Sequence, residues 1–267
     1  MAKLLHLSYS AIFGYNYFDW RLFEGKMEKT IILIPTYNEK PNIVSLAEAS
    51  FGLYPETSVL VLDDNSPDGT AEAVGTIQSR FPNLMVHRRY GPRGFGRSYL
   101  DGFNKILNDD RYDSVIMMDA DFSHDPKEIG EMVKKLSVND IVTGSRYVPK
   151  GKIENWNWRR KLLSRFANFY VRTILRTPIK DMTTGFICLR KNILRSLDLN
   201  AISSDGYAFL VELKYRLHQN GFSFVEHPIT FKERREGQSK MSSKVIWESI
   251  WLPWQLLFKR KNPHKEG

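Results

Sequence analysis

Asp119-Ala120-Asp121 follows the apolar run Ser114–Met118 and precedes Asp125-Pro126-Lys127-Glu128, the start of a helix. Two carboxylates one residue apart, at the carboxyl end of a buried strand, can hold a hard divalent cation such as Mg²⁺ or Mn²⁺. A cation held there can in turn hold a diphosphate. On its own, this spacing also describes an ordinary solvated turn. Two further clusters argue against that. Pro35-Thr36-Tyr37-Asn38-Glu39 follows the run Thr30–Ile34, and Asp63-Asp64-Asn65-Ser66-Pro67-Asp68-Gly69-Thr70 follows Ser58–Leu62. If the strands share a sheet, the clusters share an edge. Tyr37 then offers an aromatic ring, Glu39, Asp63 and Asp64 offer acceptors for ribose hydroxyls or base donors, and Asp119 and Asp121 offer a metal pair. The set suits a nucleotide that carries a diphosphate. Asp68-Gly69-Thr70 is expected to turn the chain and cap the next helix.

The elements that must position these clusters alternate. Strands are expected over 30–34, 58–62, 83–87, 114–118 and 140–143, with helices over 41–49, 68–80 and 94–107 between them. Continuous apolar strands alternating with amphipathic helices predict an α/β fold, a mostly parallel sheet with helices on both faces. Ligands of such sheets bind beyond the carboxyl ends of the strands, where the polar clusters stand. The second half is less regular. It carries a basic helix from 158 or 159 to 175, a strand over 181–189, a helix over 207–219, a strand over 223–231 and a polar loop over 232–240. Nothing repeats, and no linker splits the chain. Gly91-Pro92-Arg93-Gly94-Phe95-Gly96 does not match the dinucleotide fingerprint and lacks the P-loop lysine, which disfavours a dinucleotide dehydrogenase or a P-loop NTPase.

The 267 residues are 42% hydrophobic, enough for one large domain with a substantial core. Formal charge is 39 − 30 = +9, which favours anionic partners. The single cysteine, Cys188, lies in an apolar stretch and reads as a buried structural thiol in a reducing compartment. No run approaches the ~18–20 apolar residues of a membrane span, and the N-terminus does not resemble a signal peptide. Residues 1–28 read as an extension ahead of the first strand, 29–242 as the domain, and 243–267 as an amphipathic, basic C-terminal segment. In that segment Trp247, Trp251 and Trp254 precede Lys259-Arg260-Lys261, a pattern suited to an interfacial helix on anionic lipid, or to a helix that covers the core.

The motifs IPTYNE, VLDDNSPDGT and MDADFSH, in this order, resemble those of inverting family 2 glycosyltransferases of the GT-A, Rossmann-like fold. Gly144-Ser145-Arg146-Tyr147, Asn157-Trp158-Arg159-Arg160 with Ser164, Asp181–Phe186, and Arg234 with Gly237–Lys240 bring the chain nearest to dolichol- and polyprenol-phosphate mannose synthases. The resemblance spans residues 29–242. It implies that Pro35, Tyr37, Glu39, Asp63 and Asp64 hold the nucleoside, and that Asp119, Ala120 and Asp121 address the sugar diphosphate, with Asp121 the direct ligand of Mg²⁺ or Mn²⁺. Relatives place a glutamine where this chain has Ser123, and a lysine where it has Pro92 and Arg93.

An acceptor that is itself a phosphate monoester carries close to two negative charges near pH 7, and arginine presents planar paired donors to such oxygens. Arg146, Arg160 and Arg234 are the candidates, with Ser164 one helical turn beyond Arg160. Arg159, Arg165 and Arg235 read as solvated charges, Glu212 as a helix-surface residue and otherwise a general base, and His124 as local structure. The implied reaction is transfer of a sugar, mannose from GDP-mannose, to a polyprenyl or dolichyl phosphate. It would occur on the cytoplasmic face of a membrane, with a membrane-anchoring partner admissible and no nucleic acid involved. UDP-glucose as donor, a glycan hydroxyl as acceptor, and a non-catalytic nucleotide-sugar sensor docked on a membrane are the alternatives.

Overall fold

Ile31, Ile32, Leu33 and Ile34 are all fully buried, so the first strand, β1 (Thr30–Thr36), is covered on both faces. That requires a central position, and a computed structural model describing residues 24–232 and 250–258 places it there. β2 (Ser58–Asp63), β3 (Leu84–Arg88), β4 (Ser114–Met117), β5 (Ile141–Ser145), β7 (Ile187–Arg190) and β8 (Phe224–Pro228) complete a seven-stranded sheet in the order β3-β2-β1-β4-β7-β5-β8. Every pairing is parallel except those of β7, which runs antiparallel to both β4 and β5. β6 (Lys152–Ile153) and β9 (Thr230–Phe231) form a small separate ladder.

Because side chains alternate along a strand, each strand feeds two cores. Ile32, Ile34, Val59, Val61, Ile116 and Met118 face one side, against the helices α2 (Lys40–Leu53), α3 (Thr70–Gly75) and α5 (Ile129–Lys135). Met27 of α1 (Glu24–Glu28) joins that layer. Ile31, Leu33, Leu60, Leu62, Val115 and Met117 face the other side, against α4 (Phe95–Ile106) and α7 (Gly206–Gln219). A third cluster joins α6 (Trp158–Leu175), α7 and a helix over 250–258, here α8, through Val171, Leu175, Val211, Tyr215, Leu252 and Leu256.

Four expected elements differ. The helix read over 68–80 spans only Thr70–Gly75, with turns following it. The strand read over 181–189 begins only at Ile187, and residues 181–186 form a loop. The 223–231 strand is divided between β8 and β9, which belong to different sheets. The helix after Asp125 opens as a 3₁₀ turn, Pro126–Glu128, before α5. The polar loop over 232–240 and most of 243–267 lie outside the described residues.

Gly96 shows how closely α4 and α7 approach. A Cβ there would stand 2.8 Å from the Ser204 carbonyl oxygen and 2.9 Å from Phe209 Cβ. Alanine normally favours a helix over glycine by ~1 kcal/mol. At this position Gly96→Ala is expected to lower stability by about 1–3 kcal/mol, because overpacking against backbone outweighs propensity. Urea denaturation measures it, and a stabilised variant would contradict the packing.

Candidate active site

The register of the sheet puts the three acidic clusters side by side. Thr36 pairs with Asp63 across β1 and β2, and the Met118 amide donates to Leu33 O, so the turns after β2, β1 and β4 lie along one edge in that order. Each turn contains a residue at positive φ: Asn38 at 59°, Asn65 at 53° and Phe122 at 61°. Asparagine accepts that conformation readily. A bulky phenylalanine does so only where surroundings enforce it. Phe122 reverses the chain directly after the acidic pair, and the Ser123 amide donates to Asp121 Oδ1 at 3.0 Å.

The first two clusters are wired to each other. Asp63 is fully buried and accepts from Thr36 Oγ1 (3.1 Å), the Ser66 amide (3.0 Å) and Ser66 Oγ (2.5 Å). Asp64 is also buried and accepts from Arg89 Nη1 and the Gly94 amide, which anchors the 89–94 turn. The oxygens of both carboxylates are engaged by protein donors of the neighbouring turns. Asp68 does not cap the following helix through its position; Gly69 is the N-cap, while Asp68 accepts from the Thr70 and Lys40 amides and ties the two turns together. Pro35, Tyr37 and Glu39 are half-buried, and Arg93 stacks over the Tyr37 ring at 4.5 Å.

At the third cluster Asp121 is buried, whereas the Asp119 side chain is 28% exposed. His124 is buried between Phe186 and Phe231, and its Nδ1 accepts the Asp119 backbone N–H at 3.1 Å. That bond puts any single ring proton on Nε2. Burial, aided by Arg146 and opposed by Asp121, pushes the imidazole pKa down to about 4, so it is neutral near pH 7. His124 is a structural prop for the Asp119 backbone. The residues fit a hard divalent ion. The donors on offer are carboxylate oxygens, and Gly185 leaves open the space in which a Cβ would stand 3.4 Å from Asp119 Oδ1. Among the described residues there is no group of three or more His, Cys, Asp or Glu with a metal-holding arrangement. This matches the habit of Mg²⁺ to take one or two carboxylates and complete its shell with phosphates and water.

A cleft rich in Arg and Lys surrounds Arg146. Arg146 donates to Asp181 through Nε (2.8 Å) and Nη2 (2.7 Å) and to Thr183 Oγ1 through Nη2 (2.8 Å). Its guanidinium is ringed by Tyr147, Trp156 and Phe231 at 5.2–5.8 Å. The side chains of Arg146 and Asp181 are 4% and 0% exposed, so the arginine is fixed in place. Burial acts to raise the Asp181 pKa, but the charge and hydrogen bonds of Arg146 outweigh it and hold the carboxyl below its usual value. A cavity of about 280 Å³ is lined by four cations, Arg146, Lys152, Lys161 and Arg165, and one acid, Glu154, with Tyr147, Gly151 and Ile153. Arg160 stacks over Trp156 at 3.9 Å, and Ser164 Oγ lies 2.6 Å from the Tyr147 hydroxyl.

Several expectations change. Arg165, read as a solvated charge, is exposed and also lines the cleft, as do Lys152 and Lys161. Glu212 is neither a surface residue nor placed to act as a base: it is 3% exposed and grips Arg216 (2.7 and 2.8 Å) and Ser204. Asn168 had no place in the sequence reading, yet it donates to Thr183 Oγ1 and accepts the Met182 amide. Its spacing, one turn after Ser164 on the same helix, was the available signal. Arg234 lies outside the described residues.

A family model described as glycosyl transferase family 2 matches residues 31–198. The polyprenol monophosphomannose synthase of Mycolicibacterium smegmatis is 40% identical over 226 residues, 84% of this chain and 85% of that protein. The undecaprenyl-phosphate mannosyltransferase of Micrococcus luteus is 38% identical over 222 residues, 83% of this chain and 91% of that protein. Among solved structures, glucosyl-3-phosphoglycerate synthase from Mycobacterium tuberculosis, in complex with Mn²⁺, UDP and phosphoglyceric acid, aligns with a TM-score of 0.65 at 16% identity. The alignment covers 92% of this chain and 84% of that one. The same enzyme with Mg²⁺ and UDP aligns at 0.64.

Removing one partner of a buried ion pair strands the other. Asp181→Asn is expected to cost about 3–5 kcal/mol at pH 7. Because the folded pKa of Asp181 is depressed, its contribution is complete above the unfolded value near ~4 and disappears as pH falls through the folded one. The stability gap between wild type and variant should therefore narrow on acidification. Denaturant melts at pH 7 and pH 3 test this, and a gap independent of pH would refute it.

Proposed function

The chain belongs to glycosyl transferase family 2, and from that premise we propose that it transfers mannose from GDP-mannose to a polyprenyl phosphate at a membrane surface, with a divalent cation. One observation carries the reading. The 181–185 loop reaches both the carboxylate pair, where Gly185 abuts Asp119, and the cleft rich in Arg and Lys, where Asp181 holds Arg146. A donor diphosphate and an acceptor phosphate, both anionic, thereby receive separate binding surfaces.

Tyr37 with Arg93 over its ring, Pro35 and Glu39 meet the nucleoside, while Asp63 and Asp64 keep the turns around it in shape. Asp119 and Asp121 are the residues that would hold Mg²⁺ or Mn²⁺, which supplies neutralisation of the charge that builds on the departing diphosphate. Arg146, through the Nη1 that Asp181 and Thr183 leave to it, together with Arg160, Ser164, Lys152, Lys161 and Arg165, orients the acceptor phosphate. An oxygen of that phosphate bonds to the anomeric carbon as the bond from carbon to the diphosphate oxygen breaks, with inversion; GDP leaves with the electron pair. The attacking oxygen is already ionised, so no residue has to remove a proton. Engagement of Glu212 by Arg216 and Ser204 accords with this and weakens the alternative of a hydroxyl acceptor, which needs a base.

Purified protein with labelled GDP-mannose, Mg²⁺ and a polyprenyl phosphate is expected to give a mannosylated lipid, ahead of UDP-glucose in the same assay. Asp121→Ala should reduce kcat/KM at least ~100-fold, on the scale of losing one charge-stabilising group at a reacting centre. Transfer that survives excess chelator undiminished would refute the metal's part, and label appearing only on a glycan would refute the acceptor.

The membrane surface is α6 with α8. Trp158, Leu162, Leu163, Phe166 and Phe169 of α6 are 55–68% exposed, and Ile250, Trp251, Trp254 and Phe258 of α8 are 40–61% exposed. Tyr170 joins the two helices, donating to Ile250 O at 3.0 Å and accepting from Trp254 Nε1 at 2.9 Å. No helix among the described residues is long and apolar enough to cross a membrane. α6 carries five Arg and Lys and no acid, and Lys259-Arg260-Lys261 follow α8 in sequence, so the apolar strip is flanked by charges that complement the anionic lipid of a cytoplasmic leaflet. Co-sedimentation with anionic vesicles is expected for the wild type and should fall several-fold in Leu162→Glu/Phe166→Glu, which remains folded because both side chains are exposed. Unchanged sedimentation would exclude this face.

A further inference from the structure

Lys214 is out of place. It sits in Gly206–Gln219, an otherwise apolar helix flank, and is completely buried alongside Val211 and Tyr215. An ammonium taken from water costs several kcal/mol unless it is well partnered, and a methionine would fill the same volume without that cost. Its partners are two backbone oxygens. Nζ donates to Asp181 O and to Thr184 O, both at 2.8 Å.

These carbonyls bracket the loop on which the active site turns. From the same stretch, the Asp181 carboxylate and Thr183 Oγ1 hold Arg146. Met182 N–H and Thr183 Oγ1 are tied to Asn168 of α6. Gly185 abuts Asp119 and His124. Glu226 meets the loop at its entry, accepting the Lys180 and Asp181 amides at 2.9 and 3.0 Å. An irregular, buried backbone has to satisfy its polar groups somewhere. Here Glu226 serves two amides at the entry of the arc, and Lys214 spans the four residues by serving the carbonyls at its two ends.

We infer that Lys214 is a positioning residue for the acceptor phosphate, holding the 181–184 arc in the curvature that sets Arg146 and Thr183 in the cationic cleft. This rests on the acceptor assignment above and extends it to a side chain that touches no substrate. Burial, aided by Arg146 and opposed by Asp181 and Glu226, lowers the Lys214 pKa to about 7. A neutral amine still has N–H donors for both carbonyls, so the clamp operates in either protonation state. What the position demands is a long side chain ending in paired donors.

The test is Lys214→Met, which keeps the volume and removes the donors, compared with Lys214→Gln, which restores an N–H donor on a shorter arm. KM and kcat are measured for a short polyprenyl phosphate and, separately, for GDP-mannose, with circular dichroism and melting temperature as controls on folding. The expected result for Lys214→Met is an acceptor KM raised about 10-fold or more with the donor KM within about two-fold, a split that general destabilisation would not produce. The Gln variant should fall between Met and wild type, and it carries the same criterion if the Met protein does not fold. Equal loss for donor and acceptor, or no loss in a folded variant, overturns the inference. A wild type that transfers nothing to the lipid phosphate refutes the acceptor assignment instead. The Lys214 inference is then judged by calorimetric binding of the same polyprenyl phosphate, and falls if wild type and Lys214→Met bind alike or not at all.

Discussion

The Asp181–Arg146 pair is the contact on which the rest of the site depends. Both side chains are out of water, and an ion pair so placed gains stability only when its geometry is good and its remaining polar groups are satisfied. Both conditions hold: the carboxylate takes two guanidinium nitrogens and the Arg146 amide, and Thr183 takes a third donor contact. A hydrophobic pair could have filled the same space. The ionic one fixes the distance between the end of β5, which carries Arg146, and the loop before β7, which reaches Asp119. The turn after β4 and the cleft around Arg146 are in this way set relative to each other by one rigid contact, which is what in-line attack would require of a donor and an acceptor held there.

The topology makes that contact available. Six strands run one way, and loops that follow their carboxyl ends lie at a common edge. A loop preceding a parallel strand would lie at the opposite edge, too far to contribute. β7 is inserted in reverse between β4 and β5, so the segment that precedes it, residues 181–186, arrives at the functional edge between Asp119 and Arg146. The antiparallel strand places a further loop among the strand-end turns without lengthening any of them.

How much of this could be read in the chain follows from which forces are local. Runs such as Thr30–Ile34 and Ser58–Leu62 declare buried parallel strands by composition alone, and the turns after them had to share an edge; both appear as expected. Residues 181–189 did not, because Gly185–Leu189 is apolar enough to suggest one strand, while the buried charge of Asp181 bends its first part toward Arg146 from a position 35 residues upstream. The wiring of Asp63 and Asp64 was invisible for a similar reason. A carboxylate that faces ligand and one that accepts Thr36, Ser66, Arg89 or Gly94 donors have the same sequence signature. Glu212 misled in that way as well. Lys214 was nearer to legible, since a lysine on the buried stripe of Phe209–Leu217 breaks the pattern, although only coordinates name the carbonyls it serves. The left-handed Phe122 has no local signal at all, and it is the residue that turns Asp121 back toward the edge.

α6 shows why the acceptor cleft and the apolar surface occur together. Arg160, Ser164 and Asn168 recur at four-residue intervals, so they share one side of the helix. Ser164 meets Tyr147, and Asn168 meets Thr183, which puts that side against the cleft. Trp158, Leu162, Phe166 and Phe169 recur on the outer side, exposed. A lipid phosphate has a similar division, with a doubly charged head that must leave water for protein donors and a hydrocarbon tail that no water-filled cleft can accept. One helix with a polar side facing the domain and an apolar side facing outward meets both requirements, because the head can enter the cleft while the tail stays in the bilayer.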